Sequence, residues 1–493
     1  MQKNIQENVH IVVYAIFLYT SIFAAAALTA GASIFADDVD PNTYYWKGGG
    51  SGNGYDPSYW KLSDGTQATE AIDETKNLVW EWAGWMNWLG NVTAKSMTLK
   101  ADGAQFNLNA NNWLATVEDF SAAGDFMILQ VGNNGGANGM KIGGNLILAP
   151  SEGKNLTFMM RTDPVYVVKD AKGALGTGQI DVAKQLQMNA LGNSVVRIAL
   201  SQSVIDNRWD DMSIIKTTVG SDFTSNLNLG GLTGRGVFSA STYFSTNATV
   251  NFQADSNGKF AGGEWTGAFT KYDPNTYTDV PEKYKDVAED WQAAADLLNE
   301  SAKTAKYTAK IVMNSGDTSA KQTMNVKKAS TLLGESTAHK DVDALDVQVD
   351  SGYLKLDSEI AINNLYFNGG KLEFSSPEKI ASAFFNGGGT LVYAGEIIAD
   401  FVSIDSAGLF TVDFTNAGSL AGEICLISSN EMIFGGDVNK VFSAIRNGTT
   451  LNGTFAMHDN GIYFTAAVPE PATIAAIFGA VALVFAMYRR KNS

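Results

Sequence analysis

The sequence predicts an all-β protein organised as a parallel β-solenoid with one helical insertion. Three observations lead to this fold class. Short apolar runs alternate with turn-forming residues, a glycine-led repeat of about 18 residues occurs in the C-terminal half, and 49 glycines accompany only 9 prolines in the 493 residues. Turn-bounded apolar runs are typical of strands, and the stacking of short repeats is typical of solenoids.

The strand predictions rest on short β-prone runs that Gly, Asn, Asp or Ser interrupt. Clear examples occupy residues 96–99, 126–131, 144–148, 155–160 and 194–200. Because turn formers flank each run, each is predicted as a single strand.

Three glycines mark the repeat. Gly352, Gly370 and Gly388 each stand before a strand with apolar residues at alternate positions, so rungs of 18–20 residues are predicted over 345–415. A unit this short cannot bury a face alone, and stacking one unit on the next gives a continuous core. An antiparallel β-sandwich with regular hairpins is the alternative reading of the same pattern.

The repeat also predicts which side chains stack. Leu354 should lie beside Leu372, and Leu372 beside Leu391, all in the interior. Lys355 and Glu373 should pair on the outer face, where an opposite-charge pair contributes at most about 1 kcal/mol. On this reading, replacement of Glu373 by Gln should have almost no effect on stability.

One segment, residues 281–306, breaks the strand pattern and is predicted as the helical insertion. Asp279 and Glu282 have the spacing of a capping box, and Pro281 suits a first helical turn. Apolar residues then recur every three or four positions, as on one face of a helix. They are Val287, Trp291, Ala294, Leu298 and Ala302.

The N-terminal residues 1–36 have the order of a secretory signal peptide. Lys3 precedes an apolar run, and small residues follow it. Cleavage is predicted after Ala32 or after Ala36, and the signal implies passage through the Sec translocon. An uncleaved membrane helix is the alternative, because the apolar run is longer than most signal cores.

The C-terminal residues 468–493 combine three parts. Val468, Pro469, Glu470 and Pro471 come first, and 472–488 are mostly apolar. This stretch reaches the short end of the length of a transmembrane helix, so the chain is predicted to meet the membrane through it. The basic residues that close the chain predict a cytoplasmic tail. They are Arg489, Arg490 and Lys491.

This three-part order resembles the PEP-CTERM sorting signal. The resemblance implies a Gram-negative bacterium and an exosortase-type processing enzyme that acts near the Pro-Glu-Pro motif. It also implies an inner-membrane-tethered precursor that later reaches the cell surface or the extracellular matrix, with a link to exopolysaccharide and biofilm. An unprocessed single-span anchor is the alternative.

The exported part, 37–467, begins with a segment rich in Trp and Gly. Residues 45–88 resemble the opening of autotransporter-type passengers, which implies a passenger-like β body. Trp80 and Trp82 would share one face of a strand and are the candidate glycan contacts. The alternative is that the tryptophans cap the open end of the core.

Composition excludes several classes of site. The net charge of −16 argues against a nucleic-acid partner, and the single Cys425 excludes a disulfide framework. His339 and His458 are the only histidines outside the signal, and no Gly-x-Ser-x-Gly elbow occurs. No cofactor site, metal site or catalytic constellation is therefore predicted.

The sequence thus predicts a cell-surface or matrix protein with a structural or adhesive role. The alternative is a polysaccharide-active enzyme, a lyase or a glycoside hydrolase, on the same fold. The enzyme would need a groove that gathers carboxylates and basic residues over an aromatic floor, whereas a scaffold needs only a repetitive polar face.

Overall fold

The computed structural model describes residues 42–47, 54, 56–82, 84–88, 91–101, 104–108, 114–123, 127–130, 139–162, 175–203, 222–241, 245–272, 288–334, 339–375 and 379–467. The predicted signal peptide, the sorting signal with its helix 472–488 and the cap at 279–282 lie outside these residues.

The N-terminal part of the described chain is made of short strands separated by turns. They are β1 (Thr43–Trp46), β2 (Trp60–Lys61), β3 (Asn77–Trp80), β4 (Gly84–Trp88), β5 (Val92–Leu99), β6 (Ala104–Leu108), β7 (Leu114–Ala122), β8 (Met127–Gln130), β9 (Gly139–Ile142), β10 (Leu146–Leu148), β11 (Leu156–Thr162), β12 (Leu175–Val182), β13 (Leu186–Asn189) and β14 (Val196–Ser203).

Longer strands and two helices follow in the middle of the chain. They are β15 (Asp222–Leu229), β16 (Leu232–Ser241), β17 (Ser245–Gln253), β18 (Gly263–Tyr272), α1 (Ala288–Thr304), β19 (Tyr307–Asn314), β20 (Gln322–Val326), α2 (Ala329–Leu333), β21 (His339–Asp341), β22 (Ala344–Ser351), β23 (Tyr353–Ser358), β24 (Ile362–Phe367) and β25 (Lys371–Phe374).

The C-terminal part returns to strands with one short helix. Its elements are β26 (Lys379–Phe385), β27 (Gly389–Val392), β28 (Ile397–Ile404), β29 (Phe410–Asp413), β30 (Glu423–Ile433), α3 (Val438–Val441), β31 (Phe442–Arg446), β32 (Thr449–Thr450), β33 (Gly453–His458) and β34 (Gly461–Ala466).

These strands form one large sheet in which parallel pairing dominates, so the protein is mostly β. The strands fall into three stacks of parallel neighbours, here called ladders. Ladder 1 runs through β5, β7, β9, β12, β15, β17, β19, β22, β24, β26, β28 and β30. Ladder 2 runs through β1, β3, β5, β7, β10, β13, β16, β18, β20, β23, β25, β27, β29 and β31.

Ladder 3 covers only the N-terminal half. It runs through β4, β6, β8, β11, β14, β16 and β18. Beyond β18 its next neighbour is β21, which pairs antiparallel and ends the stack. Each turn of the chain therefore changes from three strands to two between β18 and β22.

The parallel repeat predicted over 345–415 is confirmed, and the antiparallel alternative is wrong for this segment. Leu354 pairs with Leu372, and Leu372 with Leu391, in parallel strands. All three side chains are buried. The glycine turns bring neighbouring rungs too close for a side chain, since a Cβ on Gly370 would lie 2.6 Å from the Gly352 carbonyl oxygen.

One detail of that repeat differs from the prediction. Lys355 does lie beside Glu373, with Nζ 2.9 Å from Oε1. However, Glu373 is only 4% exposed, so the expectation of a solvated, replaceable carboxylate is wrong. The side chains that cover Glu373 are described with the candidate site below.

Antiparallel strands stand at the start of ladder 2 and at the C-terminal ends of the ladders. β2 pairs with β1 at the start of ladder 2, and β32 pairs with β31 at its finish. β34 covers the outer edge of β30 and itself pairs with β33. An exposed parallel edge would offer free N–H and C=O groups to other chains, and these strands cover it.

The predicted helical insertion is present as α1, between β18 and β19. Ser301 and the nearby Ala305 are buried, and Lys271 Nζ donates a 2.7 Å hydrogen bond to the Ala305 carbonyl. The side chains of the five residues of its predicted apolar face lie outside the described residues. Within the described part of the chain, none of the helices is long and apolar enough to cross a membrane.

Candidate functional site

The outer face of ladder 1 carries a continuous surface of stacked strands. Alternate residues of its strands point inward, and those between them point outward. One outward position can be followed in register through twelve consecutive strands, and we call it the long column. Its members are Thr93, Thr116, Lys141, Asp181, Asn228, Asn251, Val312, Gln348, Tyr366, Phe384, Ser403 and Ile433.

A groove of about 490 Å³ lies beside the first part of the long column. Its floor is aliphatic and comes from four stacked strands. The floor residues are Ala94, Val117, Ile142 and Val182, which are buried and paired in register. At about 4.8 Å per strand, these four rungs give the floor a length of roughly 14 Å.

The groove walls carry charges of both signs. Lys95, Glu118, Lys141 and Asp181 line it, with Asp255 near one end. Lys184 Nζ lies 3.6 Å from Glu118 Oε1, and two backbone amides lower the pKa of Asp255. No aromatic residue is among those that line the groove in the described part of the chain. The groove therefore has the carboxylates and lysines of the enzyme hypothesis but lacks its aromatic floor.

Beyond the groove, the long column continues as a chain of side-chain hydrogen bonds. Asn251 Nδ2 donates to Asn228 Oδ1 at 3.0 Å, and Asn228 Nδ2 donates to Asp181 Oδ1 at 2.7 Å. An ionised carboxylate accepts hydrogen bonds but has no hydrogen to donate, so the row of amide donors ends at Asp181. The same arrangement recurs with Asn386, Asn368 and Asp350, each eighteen residues apart.

The last part of the long column and its immediate neighbours form an aromatic and aliphatic stripe that only Ser403 interrupts. Tyr366 and Phe384 stack with their centroids 5.1 Å apart, and Phe401 lies 5.9 Å from Phe384. Ile433 and Ile398 are 55% and 46% exposed on the same outer face. Exposed apolar side chains gathered on one face are candidate interaction sites on soluble proteins.

The two candidate glycan contacts do not form a shared platform. Trp80 is 1% exposed and its centroid lies 4.6 Å from that of Trp46, within a cluster that also contains Trp60. Trp82 follows the end of β3 and is 41% exposed. Trp80 Nε1 donates to the Trp82 carbonyl at 2.5 Å. The arrangement agrees with the alternative in which the tryptophans close the end of the core.

A compact ionic cluster covers Glu373 on ladder 2. The Tyr353 hydroxyl donates to Glu373 Oε2, Lys355 lies against Oε1, and Lys321 Nζ lies 3.9 Å from Oε2. Burial by itself would raise the pKa of the Glu373 carboxyl, but these donors more than offset it and hold the pKa below its ordinary value. Burial and the neighbouring carboxylate raise the pKa of Tyr353, which keeps its hydroxyl protonated.

The residues with catalytic potential are occupied by other contacts. Burial and the Glu396 carboxylate raise the pKa of Cys425 to about 12, so its thiol is protonated and a poor nucleophile. His458 Nε2 lies 3.2 Å from Glu423 Oε1 on the C-terminal hairpin. Burial lowers the pKa of His339 on β21, far along the chain from the other two.

The carboxylates of Asp341 and Asp343 are both engaged by other parts of the chain. Asp341 Oδ1 accepts the Ala329 amide at 2.6 Å, and Asp343 Oδ2 lies 2.8 Å from Lys271 Nζ. No group of three His, Cys, Asp or Glu that could hold a metal ion occurs among the described residues.

Comparison with known proteins adds no assignment: no family model, no curated protein and no solved structure matches this chain.

Sequence reasoning missed the groove and the aromatic stripe for different reasons. The stripe carried a signal in the sequence, because Tyr366 and Phe384 are one repeat apart. Each directly precedes a Phe-Asn-Gly-Gly sequence, at 367–370 and at 385–388. The groove carried none, since Lys141 and Asp181 are paired across a gap of forty positions that no repeat announces.

Proposed function

We propose that the protein is an exported cell-surface or extracellular-matrix component of a Gram-negative bacterium, with a structural and adhesive role. The ladders would be the faces of a parallel β-solenoid that begins near residue 37. The Sec translocon would export the chain, and an exosortase-type enzyme would process the tethered precursor near Pro469, as the PEP-CTERM resemblance implies.

The observation that carries this proposal is the long column of ladder 1. Antiparallel strands cover the start of ladder 2 and the C-terminal ends of ladders 1 and 2, which leaves the side faces as broad surfaces for contact with other molecules. A continuous outer face twelve strands long suits extended partners, such as matrix polysaccharide or another copy of the chain. The Cys425 thiol is protonated and His458 is paired with Glu423, so neither is a ready nucleophile.

A polysaccharide-active enzyme is the second candidate, and the groove is the observation in its favour. Its lysines and carboxylates are of the types that lyases and hydrolases use. A direct test is turnover of envelope polysaccharide by the purified chain and by the variant Asp181→Asn. Turnover that disappears in the variant would replace the structural proposal by the enzymatic one.

The export and sorting steps can be tested by mass spectrometry of the cell-surface form. The surface form should begin at Ser33 or Asp37 and should end near Pro469. Replacement of Glu470 by Ala should leave a tailed precursor in the inner membrane, whereas Glu152→Ala, in an exposed turn, should be processed normally. A wild-type surface form that keeps residues 472–493 would contradict sorting by cleavage.

A further inference from the structure

The stripe on ladder 1 has a second outward column beside it, two positions earlier in each strand. We call it the short column. Its members are Lys310, Asp346, Asn364, Ser382, Phe401 and Glu431, paired in register. The long column carries Val312, Gln348, Tyr366, Phe384, Ser403 and Ile433 on the same six strands. Every one of these side chains is partly or fully exposed.

The residues in the two columns would complement those of a second copy of the same face. When the six strands of one copy lie against the six strands of another copy in the opposite order, Val312 lies opposite Ile433, and Tyr366 lies opposite Phe384. In the short column, Lys310 meets Glu431. The polar residues also match each other. These are Gln348 with Ser403 and Asn364 with Ser382.

We propose that this face binds a second copy of the chain, through a two-fold axis parallel to the strands that passes between β24 and β26. A two-fold interface brings the same patch of both subunits together, so each residue is used twice. The axis makes ladder 1 of one copy run opposite to ladder 1 of its partner. In the long column, apolar residues of one copy then face apolar residues of the other. At each end of the patch, Lys310 of one copy lies opposite Glu431 of the other.

The charges at the ends of the patch favour this occupant. Among the described residues, neither Lys310 nor Glu431 has an ion-pair partner within its own chain, and the Lys310 ammonium lies 5.7 Å from the centroid of the Tyr366 ring. One residue pair is mismatched, since Asp346 meets Phe401. Asp346 accepts hydrogen bonds from Asn363 and Asn364, and these donors stabilise its negative charge next to the Phe401 ring of the other copy.

The size of the patch is compatible with a pair. Six rungs at about 4.8 Å and strands of about six residues at 3.3 Å give roughly 570 Å² on each copy. Both copies together would bury about 1,100 Å², close to the lower bound of about 1,000 Å² for a specific protein interface. We therefore expect a reversible dimer rather than an obligate one.

A cross-linking experiment on the purified full chain tests this arrangement. The double variant Lys310→Cys/Glu431→Cys, with Cys425→Ser, is treated with a bismaleimide that spans about 10 Å, the distance between sheets packed face to face. Within one chain the two positions are five rungs, or roughly 24 Å, apart and beyond this reach. A covalent dimer joined through 310 and 431 is expected, and each single variant should give little of it.

The matched control places two thiols at the same rung spacing on ladder 2. Glu264 and Thr411 are also five rungs apart and face outward there. The variant Glu264→Cys/Thr411→Cys should stay monomeric under the same treatment. Equal cross-linking of both variants, or no 310–431 link in a folded chain, would overturn the proposal.

Sedimentation of charge variants gives an independent readout. Lys310→Glu alone and Glu431→Lys alone should each weaken dimerisation at least tenfold, and the combined variant should restore it because the pair is then reversed. Circular dichroism identifies any variant that fails to fold. If the wild-type chain is monomeric, and the thiols of the 310/431 variant react only after polysaccharide is removed, the face would be assigned to a glycan instead.

Discussion

Glu373 shows how a residue that looks exposed by its position in a strand becomes part of the interior. It is the outward residue of a short strand, yet Tyr353, Lys355 and Lys321 close over it. An ionised carboxylate at this position is stabilised by three donors at once. Its lowered pKa means that this contribution is present above about pH 4.3, the ordinary pKa of Glu, and is lost as the pH falls through the lower folded value.

Replacement of Glu373 by Gln should therefore destabilise the protein, by about 1–3 kcal/mol, because partly buried lysines lose their anion. Urea unfolding at pH 7 measures this change. Glu152→Gln, in an exposed turn, is the matched control and should be silent. If both variants unfold at the same urea concentration as the wild type, the cluster does not contribute to stability.

The amide row of the long column makes a second residue-scale prediction. Asn228→Asp would place a carboxylate against Asp181, where an amide now donates at 2.7 Å. We expect a loss of about 1–3 kcal/mol at pH 7, since an attractive contact becomes a repulsive one. Unfolding in about 1 M salt should reduce the difference, because salt screens the repulsion between the two carboxylates. A loss that is equal at low and high salt would point to packing instead of charge.

At the scale of elements, the β33–β34 hairpin is held by a titratable contact. His458 lies on β33 and Glu423 on β30, with Asp459 in the turn between β33 and β34. The Glu423 bond, followed by the Asp459 bond, raises the pKa of His458. Protonated His458 therefore stabilises the hairpin below about pH 6.5, the ordinary pKa of His, and this contribution disappears as the pH rises through the folded value.

Amide hydrogen exchange across 461–466 should accordingly be faster, relative to its intrinsic rate, at pH 8.5 than at pH 5.5. The variant His458→Gln should lose this pH dependence while keeping the hairpin. Persistence of the dependence in the variant would show that another group causes it.

The insertion between β18 and β19 is the second element with a clear test. Deletion of 281–300, with a short Gly/Ser bridge, should leave the sheet folded, because the register of Thr246 with Tyr307 is set by the strands. Deletion of the whole predicted segment, 281–306, should cost stability, since Ala305 and Ser301 are buried. Thermal unfolding followed by circular dichroism compares the two. Equal loss of cooperativity in both would make α1 part of the core.

For the whole molecule, the antiparallel strands at the C-terminal end act as a cover. A chain that ends at Ala417 would lack β30 to β34 and would expose the edges of β28 and β29. Such edges pair with other chains, so we expect aggregation that light scattering detects. A chain that ends at Ala467 keeps the cover and should remain dispersed. A soluble, monomeric chain ending at Ala417 would show that the edges are protected in another way.

The repeat made part of the fold predictable from the sequence. The pairing of Leu354 with Leu372 and of Leu372 with Leu391 followed from the spacing of three glycines, because one unit of eighteen residues is also one rung. The insertion at α1 was likewise visible, because helical and strand periodicities differ. Where rungs had irregular lengths, as between Lys141 and Asp181, no spacing indicated which strands would be neighbours.

The sequence by itself determined the class of fold, the direction in which each strand face points and the register of the regular rungs, since these depend on local periodicity. Only the tertiary structure decided that Trp80 is buried while Trp82 is exposed, that Glu373 is covered, and that a groove forms beside Asp181. The physical reason is that burial and pairing depend on neighbours from other rungs, whose distance along the chain varies. Periodicity within one strand gives the side on which a residue lies, but not what covers it.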